Sequence, residues 1–172
     1  MSSLAIIGIG NSLMSDDGIG PRLLKELRVH SQFKDDPDAT GRPQVDLIEL
    51  GSGGMSVLHY LAQYKRAIIV DSGNMDLSPG EFRVFSPDEV TSVKFLSGQS
   101  LHEFDLLQAI SMSQKLGECP DELMIMAIQP VTVGWGEGLS LELEKNVPIY
   151  LSELVTLANR LMKSDSDDKE VE

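Results

Sequence analysis

The order of segments in this 172-residue chain predicts an α/β fold. The expected form is a single three-layer domain, a mostly parallel twisted sheet of about five strands with helices on both faces. Three observations carry that expectation. Leu4 to Ile9, Ala67 to Val70 and Leu123 to Ile128 are nearly unbroken apolar runs, as in strands covered on both sides. Stretches with apolar residues at helical spacing lie between them. No internal repeat or linker interrupts this alternation, which favours crossover helices joining parallel strands. Residues 1–163 are thus expected to form one domain, and 164–172, with five acids and one base, a flexible acidic tail.

Taken in order, the first strand ends in Gly8-Ile9-Gly10, and a helix follows from about Ile19 to His30, with Pro21 in its first turn. Ile19, Leu23, Leu24 and Leu27 form its apolar stripe. Residues 31–43, with Pro37, Gly41 and Pro43, read as loop. Gln44 to Leu50 alternates polar and apolar, as in a strand near the sheet edge. Gly51-Ser52-Gly53-Gly54 leads into a short helix, Met55 to Tyr64. The central strand ends at Asp71, Gly73 to Gly80 is loop, and Glu81 to Phe85 is a further strand before a turn or short helix at Ser86-Pro87-Asp88-Glu89. Leu106, Leu107, Ile110 and Leu116 place a helix over about 102–116, stopped by Gly117 and Pro120. Glu122 to Ile128 is the last strand. A short helical turn over Ser140 to Asn146 and a final helix over Pro148 to Lys163 complete the reading.

Charge narrows the function. With 27 acids against 14 bases the net charge is −13, which disfavours nucleic acid and anionic lipid, both of which need a basic face. A cation or a basic protein segment suits it better. No apolar run of about 18 residues offers a membrane span, and no secretory signal is visible at the start. One cysteine, Cys119, excludes an internal disulfide, lacks zinc-ligand neighbours and reads as a structural residue at a helix end. A cytoplasmic, monomeric protein is expected.

The loop after the first strand looks at first like a dinucleotide fingerprint. Leu13 stands where that fingerprint needs a small residue, and Asp16-Asp17 would repel a pyrophosphate. The loop suits a cation. Asp17 after the first strand, Asp71 at the end of the central strand and His102 at the start of a helix can converge, because neighbouring parallel strands share their carboxyl rim. Two carboxylates and an imidazole suit a divalent first-row metal, with nickel, zinc and iron all compatible. The alternative is plain helix capping by Asp16, Asp17 or His102.

Gly8-Ile9-Gly10-Asn11-Ser12-Leu13 followed by Asp16-Asp17-Gly18-Ile19-Gly20 resembles the opening motif of the hydrogenase maturation endopeptidases. Val70-Asp71, Ser100-Leu101-His102 with Leu106-Leu107, the Gly51–Gly54 segment, and Gln129-Pro130 with Gly138-Leu139-Ser140 extend the likeness over about residues 4–162. It departs from the family at Leu141-Glu142-Leu143, where a proline is common, and at Ser72-Gly73, where a small apolar residue is usual. The resemblance implies an aspartic-type endopeptidase that removes the C-terminal extension of a nickel–iron hydrogenase large-subunit precursor. It also implies that Asp17, Asp71 and His102 are both catalytic and metal-binding. The metal would be nickel already seated in the substrate, not a resident cofactor. A carboxylate such as Asp16 is expected to assist attack on the peptide bond. A nickel-sensing chaperone that does not cut and a nucleotide-binding α/β protein are the alternatives. Residues 131–138 are the first place to look for selectivity. Trp135 there is expected to be a partly buried anchor, a substrate contact being the other reading.

Overall fold

The computed structural model describes residues 4–30, 33, 45–52, 54–90 and 101–167, with the side chains at 90, 101–105 and 164–167 excepted. The expected loop 31–43 and Gly53 lie almost wholly outside them. The strands are β1 (Leu4–Gly8), β2 (Val45–Glu49), β3 (Arg66–Ser72), β4 (Phe82–Phe85) and β5 (Glu122–Ile128). The helices are α1 (Ile19–Val29), α2 (Val57–Leu61), α3 (Pro87–Val90), α4 (Leu101–Leu116) and α5 (Leu141–Asp167). The five strands make one sheet in the order β2-β1-β3-β5-β4.

The apolar runs explain the centre of that order. Every residue of β1 and β3 is buried, and β3 lies between β1 and β5 in parallel register. β2, with its alternating sequence, takes one edge, as expected. β4 takes the other and runs antiparallel, Phe82 opposite Ile128 and Phe85 opposite Ile125. A parallel return would need a crossover of a dozen residues or more. The connection over 73–81 is shorter, so the chain folds straight back along β5.

Two apolar layers cover the sheet. On one face Ile6, Ile68, Val70 and Met126 pack with Leu23, Leu24 and Leu27 of α1 and with Leu154 and Leu161 of α5. On the other, Ala5, Ile7, Ile69 and Ile125 pack with Val57 and Leu61 of α2 and with Leu106 and Ile110 of α4. The α1 layer lies very close to the strands. A β-carbon on Gly20 would collide with the carbonyl oxygen of Ile9 and stand 2.8 Å from that of Val70, so only glycine lets the helix seat there.

The C-terminal helix corrects the two-piece expectation. α5 is one helix through Pro148, and it extends four residues past Lys163. Proline inside a helix costs about 3 kcal/mol, mainly through the lost N–H bond and a clash one turn back. Leu143, Val147, Tyr150, Leu154, Leu157 and Leu161 form a continuous buried stripe across it. Full burial of each large apolar side chain contributes about 1.5–3 kcal/mol, so the stripe outweighs the proline. The short helix after β2 is also tighter than expected: a 3-10 turn at Gly54–Ser56 precedes α2. No helix among the described residues is long and apolar enough to cross a membrane.

Candidate active site

The site grows from the carboxyl rim of β1 and β3. Beyond β1, Ile9 donates its N–H to the Val70 carbonyl at 2.9 Å, and Gly10 donates to Gly51 at 2.6 Å. Gly10 has φ 130°, and a β-carbon there would strike the Asp17 carbonyl. The Asn11 carboxamide oxygen accepts the Leu13 N–H at 3.0 Å, a local turn that brings the chain round. A 3-10 turn, Ser15–Gly18, then leads directly into α1.

Two neighbouring acids on that turn have opposite fates. Asp16 is fully buried. One carboxylate oxygen accepts the N–H groups of Val131 at 2.8 Å and Thr132 at 3.2 Å, and the other accepts that of Ser140 at 2.7 Å. Three backbone dipoles therefore hold its charge, as charge-assisted hydrogen bonds. The expected part for Asp16 in attacking a peptide bond does not fit: both oxygens are engaged in structure and neither faces solvent.

Asp17 is half-buried and turns toward β3. Its Oδ1 accepts the Ser72 hydroxyl at 3.0 Å and its Oδ2 accepts the Asn11 N–H at 2.9 Å. A carboxylate offers about four lone-pair sites, so two bonds fix its direction and leave capacity for a cation. Ser72, the residue that departs from the family pattern, is the link between the first loop and the end of β3. Beside it, Asp71 is buried, with 6% of its surface exposed. Strand alternation puts it on the face of Ile69, the face covered by α4.

His102 belongs by backbone to the first turn of α4, a helix that packs on α2 and on the Gly54–Ser56 turn beyond β2. Its side chain lies outside the described residues. Among the described residues there is no group of three or more His, Cys, Asp or Glu placed to hold a metal. Of the three candidate ligands, the described residues show Asp17 joined through Ser72 to the strand end that carries Asp71. Hard carboxylate oxygens with one imidazole are chemically suited to a first-row divalent ion.

The rest of the rim is built from the chain after β5. Gln129 accepts the N–H groups of Met75 at 2.7 Å and Leu77 at 3.3 Å, and donates to the Asn74 side chain at 3.2 Å, so one carboxamide shapes the loop after β3. The loop 131–138 is stitched to the first loop: Met14 and Gly136 form a parallel bridge, and Ser15 donates its hydroxyl to Gly134 at 3.0 Å. Trp135 at its tip is 85% exposed, which corrects the expectation of a buried anchor. Each neighbour, Gly134 and Gly136, lacks a side chain that could cover it.

Residues 21–157 match the family model described as hydrogenase maturation protease. The chain belongs to that family. The matched span includes Asp71 and His102 and begins just after the loop that carries Asp17. As a member of the hydrogenase maturation proteases, the chain is an endopeptidase. It is 29% identical over 138 residues to the hydrogenase expression/formation protein HupD of Bradyrhizobium diazoefficiens, covering 80% of this chain and 68% of that one. It is 28% identical over 124 residues to HoxM of Cupriavidus necator, covering 72% and 57%. The hydrogenase maturating endopeptidase HybD from E. coli superposes with a TM-score of 0.77 at 25% identity, over 91% of this chain and 92% of that one. The sheet and helices described above are therefore the family's fold.

Proposed function

We propose that this endopeptidase trims the C-terminal extension from the precursor of a nickel–iron hydrogenase large subunit, late in its maturation. On this reading nickel is part of the substrate, already inserted there. Asp17, Asp71 and His102 are the residues that contact it and fix the cut beside it. The observation that supports the reading most is the hydrogen bond from Ser72 to Asp17, which ties the opening loop to the end of β3 where Asp71 stands. A carboxylate with two of its lone pairs already committed has a fixed direction, so it meets a metal without reorganising. Nickel in such a place supplies Lewis acidity toward a peptide carbonyl or a bound water. This chain's part is to position: Asn11 and Ser72 orient Asp17, the buried strand end orients Asp71, and the helix start presents His102. On this reading it is an aspartic-type endopeptidase. The acidic surface and the lone cysteine agree with a monomer working in the cytoplasm on a protein partner, not on nucleic acid or a membrane.

The experiment is incubation with large-subunit precursor, nickel-loaded or nickel-free, followed by intact-mass spectrometry. Loss of the extension is expected only with nickel. Asp17→Asn, Asp71→Asn and His102→Ala should each slow trimming by about 10²-fold or more, the effect of a lost positioned acid or base, with unchanged circular dichroism. Binding without trimming would make the protein a nickel-sensing chaperone instead.

A further inference from the structure

We infer that the rim segment 131–141, together with Leu13, is the docking face for the substrate. Its partner is an extended apolar stretch of the precursor flanked by Lys or Arg. This proposal rests on the function proposed above and deepens it.

Five large apolar side chains stand exposed there: Leu13 at 50%, Val131 at 46%, Val133 at 52%, Trp135 at 85% and Leu141 at 74%. Hydrogen bonds fasten the backbone that carries them to the first loop. Val131 and Ser140, the latter beside Leu141, both donate to the single Asp16 carboxylate. Gly136, next to Trp135, donates to the Leu13 carbonyl at 3.0 Å. An exposed apolar patch of this kind marks an interaction surface, and tryptophan is the side chain that most often anchors one. The face is also built firmly: it is fastened to the same 3-10 turn that carries Asp17, so a chain docked on it is delivered beside the site. Firm placement lowers the ordering cost of binding.

Charge selects the occupant. Glu137, within the segment, and Glu142, just after it, are exposed, and Glu144 is paired with Arg22 at 2.8 Å. On a chain of net charge −13, an apolar segment carrying cations is complementary and an acidic one is repelled.

Trp135 is the only tryptophan in the chain, so its emission reports on this face directly. Nickel-loaded precursor should shift that emission to the blue as the indole is covered. Trp135→Ala should raise KM for trimming by about 30-fold, the size of a lost hot-spot anchor, with kcat unchanged. Glu137→Lys with Glu142→Lys should raise KM as well, and the loss should shrink with added salt. If wild-type protein trims the precursor while emission stays still and Trp135→Ala keeps its KM, the docking face is wrong and the proposed function stands. If precursor shifts the emission but is not trimmed, the face stands and the endopeptidase reading of the substrate fails. Concentration-dependent dimerisation that Trp135→Ala abolishes would assign the face to a second copy and overturn the proposal.

Discussion

Removing the Asp16 carboxylate tests the view that this acid is scaffold and not chemistry. Its oxygens accept three backbone N–H groups at 2.7, 2.8 and 3.2 Å inside the protein. In Asp16→Asn one oxygen remains for Val131 and Thr132, but an amide N–H faces the Ser140 N–H, donor against donor. A hydrogen bond to a charged group is worth about 1.5–3 kcal/mol, and a stranded buried donor costs about 1–3 kcal/mol. Asp16→Asn should therefore destabilise by about 3 kcal/mol. Asp16→Ala strands all three donors and should cost about 5 kcal/mol, less than the simple sum because water can follow the loosened loop. Urea unfolding followed by far-ultraviolet circular dichroism at pH 7 measures both, and the anisotropy of Trp135 emission reports whether loop 131–138 has come loose. Asp16→Asn with wild-type stability and anisotropy but no trimming would refute the reasoning and return Asp16 to the chemistry.

Two other perturbations address the site and the pH range. Ser72→Ala removes the hydroxyl that orients Asp17; trimming should fall about 10-fold, the equivalent of one net hydrogen bond, and Ser72→Thr should restore part of it. Tyr64 donates its hydroxyl to Asp46 at 2.7 Å. Burial, and then that carboxylate, push its pKa from 10.0 up to about 12. The folded state thus holds the phenol proton more tightly than the unfolded chain does. The stabilisation from Tyr64 is fully present below pH 10 and is lost as pH rises from 10 toward 12. Urea midpoints measured across that interval should fall less steeply in Tyr64→Phe, and equal slopes would mean the phenol is not held as described.

The sequence exposed the parts of the fold that depend on local pattern. β1, β3 and β5 are legible because a strand covered on both sides must be apolar throughout, and β5 begins and ends where its composition says. α1 is legible from one stripe. What was hidden depends on partners far along the chain. Asp16 looked like a second reactive acid, since backbone N–H groups 115, 116 and 124 residues away leave no mark on composition. The direction of β4 follows from a short connection and not from its four residues. Pro148 read as a helix boundary because local rules carry no knowledge of the buried stripe on either side. Trp135 has two glycine neighbours and no periodicity, so nothing nearby fixed its exposure. Ser72 did show in the sequence, as a polar residue in an unusual place, but its bond to Asp17 needed the folded rim.

The shared carboxylate also sets an order on assembly. During synthesis Asp16 emerges early and its three donors emerge after every strand of the sheet has been made. Until Val131, Thr132 and Ser140 arrive, closing the first loop would bury a bare negative charge, which the apolar interior resists. The first loop and the segment after β5 are thus parts of one structure: neither reaches its final form without the other.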